Sequence, residues 1–282
     1  MRRVLLAVVG LMLLVGCGSP VVDTNAAPVD SPYEGPMTLP QSFADEATVM
    51  QRAGAAARAL ECQGKPYEGG SGSYDGGLLT VQDTAEEALE NFLKEEFWED
   101  RLPGSNYHVE RVDDDRVLLS WDLDQQTKVA FIAADGTRDY ENDVGWGIES
   151  WAQCDPSEFP QDMARDFGYL VWEDEDGDPV PVTTVYSYLG ARHCNWQSTM
   201  FLMLGGDKGD QFVRDRGGEL ASLLKTVYIR HTQLPDTATD TGFRRDDREL
   251  WISSTRDAIY LVGDDHMDVE LWPAATEAFG CS

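Results

Sequence analysis

The chain is 282 residues long, with 22 basic and 51 acidic side chains and a net charge of −29. A field of that sign repels phosphate backbones and anionic headgroups, which excludes nucleic-acid binding and charge-driven adhesion to an anionic bilayer. A cationic partner, a divalent ion or plain solubility stay open, and acids scattered over many turns favour solubility.

Arg2 and Arg3 precede an apolar run of 12 residues, Val4 to Val15. A bilayer-spanning helix needs about 20 residues, so the run is too short to span but suits the apolar region of an export signal. Where a small-residue cleavage site would stand, the chain reads Leu14-Val15-Gly16-Cys17. This resembles a bacterial lipobox. The resemblance implies a signal peptide over 1–16, cleavage before Cys17, and a diacylglyceryl group on its thiol. Two acyl chains make a stable tether where one is marginal. The expected location is the outer, extracytoplasmic face of the cell membrane. Residues 17–41 carry Pro20, Pro28, Pro32, Pro36 and Pro40 among small and polar residues. They read as a disordered stalk that reaches roughly 25–30 Å as a flexible coil.

With Cys17 given to lipid, Cys62, Cys154, Cys194 and Cys281 remain. An even number in an exported chain favours two disulfides, and four cysteines permit three pairings. Cys62–Cys154 with Cys194–Cys281 is favoured because each pair brackets one half of the chain.

Ser42 with Asp45 resembles a capping box, and Phe43, Val49, Met50, Ala53, Ala57 and Leu60 roughly follow one face, which predicts a helix over 42–60. Residues 63–79 hold six glycines and read as a loop. Thr84 with Glu87 is a second capping box, and the stripe Ala85, Ala88, Leu89, Phe92 and Leu93 predicts a helix over 84–97. Strands are expected at 107–112, 116–123, 128–134 and 144–152, with an acidic turn at 113–115. In the last, strict alternation puts Val144, Trp146 and Ile148 on one face and Trp151 on the other.

In the second half, 168–172 and 180–189 flank the acidic turn 174–178 as a hairpin. Runs 196–204 and 220–228 are ambiguous between strand and helix. Segments 242–245, 249–253 and 258–262 read as a small meander. The fold class expected is α+β: N-terminal helices packed on an antiparallel β-meander over 42–160, then a mainly β second half over 161–282.

GWGIESWAQCDPSEF at 145–159, HCNW at 193–196, TGFRRDDRELW at 241–251 and the ending WP…GC at 272–281, with the lipobox, look like uncharacterised lipoproteins of actinobacteria. The resemblance covers most of the body past the stalk. It implies export and paired cysteines, and no activity.

His193 beside Cys194 raises a Cys/His nucleophile, but catalytic pairs are assembled by the fold and not by adjacency, so disulfide is the better assignment. Asp174, Asp176 and Asp178 alternate as calcium ligands would, yet Pro179 stands where the loop needs Gly and Val185 where it needs Glu, which leaves a solvated turn. Asp264, Asp265, His266 and Asp268 offer one His with acids, a weak metal signal. Trp151 is the best candidate for a glycan-stacking surface, since its expected neighbours are small or charged. No nucleophile elbow, zinc-protease helix or phosphate-cradling loop is present. No catalytic residue, metal ligand or cofactor is therefore assigned. The expectation is a membrane-anchored, exported, non-catalytic binding or structural module of the envelope, with an envelope protein or glycan as partner. An envelope hydrolase using acidic residues, or a divalent-ion-dependent adhesion module, is the alternative.

Overall fold

A computed structural model of the protein describes residues 33–72, 80–95, 107–264 and 266–280. Cys17, Cys281, Asp265, the expected signal peptide and the expected stalk up to residue 32 lie outside the described residues. Among the described residues, no helix is long and apolar enough to cross a membrane.

The first half is built on one antiparallel sheet. β2 (Tyr107–Asp113), β3 (Arg116–Leu123), β4 (Gln126–Arg138) and β5 (Val144–Gln153) follow one another as the expected meander. β3 and β4 read as nearly continuous apolar runs because both their faces are covered. Leu118, Ala130, Ile132 and Ala152 pack against α2 (Ala55–Ala59). Val117, Leu119, Trp121, Val129 and Phe131 pack against α3 (Ala85–Glu95) on the opposite face. α3 starts where its capping residue predicts: the Thr84 hydroxyl accepts from the Glu87 amide at 3.2 Å. Ala85, Ala88, Leu89, Phe92 and Leu93 are its buried stripe.

Three expectations for this half need correction. The helix over 42–60 is two short ones, α1 (Val49–Arg52) and α2. Ser42 and Asp45 do not start it; the Gln51 side chain accepts from the Thr48 amide instead. Gly54, at φ +54°, then breaks the path between α1 and α2. Second, the Gly-rich loop contains an edge strand, β1 (Glu68–Ser71), paired antiparallel with β5. Glycine is what lets it approach, since a Cβ on Gly69 would stand 2.6 Å from the Trp151 carbonyl oxygen. Third, residues 33–41, expected to be part of a disordered stalk, are packed on the sheet. Met37 is buried against the α2 face, with Tyr33 and Leu39 packed beside it. Glu110 accepts the Tyr33 amide at 2.9 Å, and Arg111 donates to the carbonyls of Tyr33 and Gly35.

The second half holds two four-stranded antiparallel sheets, in the orders β6-β7-β8-β9 and β10-β11-β12-β13. The first comprises β6 (Leu170–Val171), β7 (Val185–Leu189), β8 (Met200–Leu204) and β9 (Asp210–Arg214). The second comprises β10 (Thr239–Arg245), β11 (Arg248–Ile252), β12 (Ala258–Gly263) and β13 (Val269–Pro273). The sheets meet at both edges. Beyond β6, Glu173 exchanges two backbone hydrogen bonds with Arg244 of β10; beyond β13, the Ala275 amide donates to Gln211 of β9. Hydrogen bonding thus runs round a flattened eight-strand barrel, a size whose interior side chains can nearly fill. Trp172, Leu202, Phe212, Leu250, Ile259 and Trp272 fill it.

The outer face of β7 and β8 is covered too. Tyr186 and Met203 meet Tyr67 and Tyr169 from the linker regions, and Phe201 meets Leu220 and Leu224. Asp155 joins the two halves: it is buried, and one carboxylate oxygen accepts the amides of both Ser157 and Val182.

Candidate functional site: the mouth of the barrel

Strand alternation assembles this site. On β9, Phe212 and Arg214 share the inward face; on β13, Trp272 and Glu270; on β11, Leu250 and Arg248; on β7, Val185 and Ser187. Stepping two residues along each strand takes the interior from apolar to polar, and to charged on β9, β11 and β13. At the charged end a chamber of about 200 Å³ opens, lined by Trp172, Ser187, Met200, Leu261 and Trp272 together with Arg214, Arg245, Asp246, Asp247, Arg248 and Glu270.

The floor is a polar network. Arg214 donates from Nε and Nη2 to the two oxygens of Glu270, at 2.8 and 2.6 Å. The Trp272 indole donates to the same carboxylate at 3.1 Å, and the Arg214 guanidinium lies 5.8 Å from the Trp272 ring centroid. Burial by itself would raise the Glu270 carboxyl, but the Arg214 and Trp272 hydrogen bonds, the Arg214 charge and the adjacent Tyr228 hydroxyl overcome it and hold the group below the ordinary glutamate value. The Trp172 indole donates to Ser187 Oγ at 3.0 Å, which fixes that ring.

The rim is the β10–β11 hairpin. Arg245 pairs across it with Arg248, and Asp246 at its tip takes a left-handed φ of +54°. Arg248 is neutralised by Asp268 at 2.5 Å. Arg245 is served less well: its ion pair is a loose one, 3.6 Å to Asp246. Burial pulls the Arg245 guanidinium below the ordinary arginine value; Asp246 opposes this, and Arg165 on the helix α4 (Gln161–Asp166) adds to it.

The residues singled out in the sequence lie elsewhere. Cys62 and Cys154 form a disulfide. Cys194 is also disulfide-bonded, which removes the His193–Cys194 nucleophile; Cys281, its expected partner, is outside the described residues. Asp174 folds its own turn by accepting the amides of Asp176 and Asp178. Asp268 is held by Arg248, and His266 sits 3.6 Å from Glu249, so the 264–268 turn is not a convergent ligand set among the described residues. Among those residues, one group of three potential ligand atoms lies within 4.8 Å, Cys62, Cys154 and Glu158, and two of its sulfurs are spent in the disulfide.

Trp151 also needs correction. It does not face away from Ile148. β4 pairs Ile132 with Ser150 and Ala133 with Ile148, so Glu149 is an extra residue, a bulge. The bulge flips the alternation and returns Trp151 to the α3 side, against the same cluster as Trp146 and Ile148.

One group of polar residues has the composition of a hydrolase site. Ser120 donates to Glu110, and His108 Nε2 is 3.6 Å from Asp122, whose carboxyl is raised by burial. Ser120 and His108 are buried between sheet and N-terminal segment, and the same Glu110 anchors Tyr33. A nucleophile with no exposed surface meets no substrate, so this network is structural.

Comparison with family models, with curated proteins and with solved structures finds no match for this chain.

Proposed function

We propose that the protein is an exported, lipid-anchored, non-catalytic binding module of the cell envelope, with the barrel mouth as its ligand chamber. The observation that carries the reading is that chamber: two indoles and a preorganised Arg214–Glu270 pair converge on an opening of about 200 Å³. Binding sites are concave and apolar with a few fixed polar groups, and barrel mouths are a usual place for them. Drug-sized sites run about 300–1,000 Å³, so the occupant is a small molecule. The leader and lipobox support export and anchoring, and the disulfides suit an oxidising compartment. The hydrolase alternative needs a cleft with convergent carboxylates of raised pKa. Asp122 has the raised carboxyl, but it belongs to the network under the N-terminal segment.

The test is ligand-observed NMR on the full chain in detergent, with a mixed library of neutral, cationic and anionic small molecules and a detergent-only blank. Some compounds are expected to bind the wild type and to lose that binding in Met200→Trp and in Leu261→Phe, two substitutions that fill the chamber. Melting curves of both variants check that the barrel is intact. Binding that survives in a folded filled variant, or no binding from any compound, contradicts the reading.

A further inference from the structure

From the unfilled donors of Arg245 at the barrel mouth, we propose that its ligand is a small carboxylate with a flat or apolar body, held at its charged end by Arg245. The inference rests on the binding reading above and adds the ligand's chemistry.

Six charged groups line the chamber: Arg214, Arg245, Arg248, Asp246, Asp247 and Glu270. They balance, but they are not equally engaged. Glu270 is saturated by Arg214 and Trp272, and Arg248 is committed to Asp268. Arg245 has the 3.6 Å contact with Asp246 and no side-chain hydrogen bond among the described residues. Its guanidinium side chain is only about a quarter exposed, at 23%. Arg165 stands close enough to repel it and has no ion pair among the described residues.

A mostly buried arginine left with one loose partner is notable in a chain with 51 acids and 22 bases, where a large excess of carboxylates was available to neutralise it. With Arg165 and with Asp268, the partner of Arg248, added to the six lining charges the count stays neutral, so an anion is called for by the unfilled donors of Arg245 and not by a net charge. A dianion such as a phosphate monoester would face Asp246 and Asp247 with twice the charge. A guanidinium fork matches the two oxygens of a carboxylate. Trp172, Trp272, Met200 and Leu261 then offer the walls for the ligand's body.

The test uses three probes of one shape and different charge: benzoate, benzamide and benzamidine. Each is titrated calorimetrically into the full chain in detergent against a detergent-only blank. Benzoate is expected to bind about tenfold or more tighter than benzamide, the gain of a charge-assisted pair over a neutral one, and benzamidine is expected not to bind. Arg245→Gln should erase the benzoate advantage over benzamide. Arg165→Gln, on an exposed helix position where folding is not at stake, should weaken benzoate a few-fold. If benzamide or benzamidine equals benzoate, or if both variants leave benzoate unchanged, the carboxylate assignment is overturned while the binding module stands. If none of the three binds, the assignment is also overturned, and the binding module is then decided by the mixed library alone.

Discussion

Replacing Cys62 and Cys154 together by Ala is expected to lower the unfolding free energy by about 4 kcal/mol, from the loop-closure entropy of a bridge across 92 residues. For a body of this size that corresponds to a melting-temperature fall of roughly 10 °C. The bridge ties the turn after α2 to the end of β5. Cys154 is fully buried in the α3-side core, so Ala there also removes packing. Some of the local order should survive, because Glu158 independently accepts the amides of Gln63 and Gly64 and the Lys128 ammonium. Denaturant melts of the double variant against the wild type measure the effect. A loss under about 1 kcal/mol would mean that Glu158 and packing, not the bridge, hold this end of the sheet.

Glu270→Gln is expected to cost about 3 kcal/mol, the low end for breaking a buried ion pair, because Arg214 keeps some solvent exposure that softens its loss. The substitution keeps the shape and removes the charge that satisfies Arg214. It also changes the acid limb of the stability curve. The folded carboxyl titrates below its unfolded counterpart, which lies near about 4.3. Above both values the pair contributes fully. As pH falls below about 4.3, the unfolded chain takes up the proton first, and the contribution is lost as pH passes down through the folded value. The wild type should therefore lose stability more steeply than Glu270→Gln in that range. Parallel acid limbs for the two proteins would show that Glu270 is not the carboxylate that matters there.

What was legible in the sequence had a local cause. α3 announced itself through Thr84, Glu87 and a five-residue stripe, and β2 to β5 through apolar runs separated by polar turns. β9 and β13 were not recognised, since Asp210 to Arg214 and Val269 to Pro273 interrupt their apolar residues with Arg214 and Glu270. Those interruptions are the chamber floor. A charged residue at an inward position looks like a break in a strand until its partner, 56 residues away, is known. The edge strand β1 was hidden by glycine, whose low strand propensity is outweighed here by close approach to β5. The 42–60 helix failed because its apolar residues served two packings, with Gly54 turning the chain between them. Trp151 was misplaced by a single bulge residue, which no period-two reading detects. The motifs with apparent chemistry, His193–Cys194 and the aspartate turns, proved to be a disulfide and closed turns. Arg245 carried no signal in sequence, because what sets it apart is the quality of its partner.

The claim on which the rest depends is that this chain works outside the cytoplasm, held by lipid at Cys17. Peptide mapping by mass spectrometry, without reduction, on protein taken from its own membrane tests it most directly. The account predicts a mature chain that begins at Cys17 carrying a diacylglyceryl group, with Cys62 joined to Cys154 and Cys194 joined to Cys281. An unmodified Cys17 with the leader still attached would contradict it.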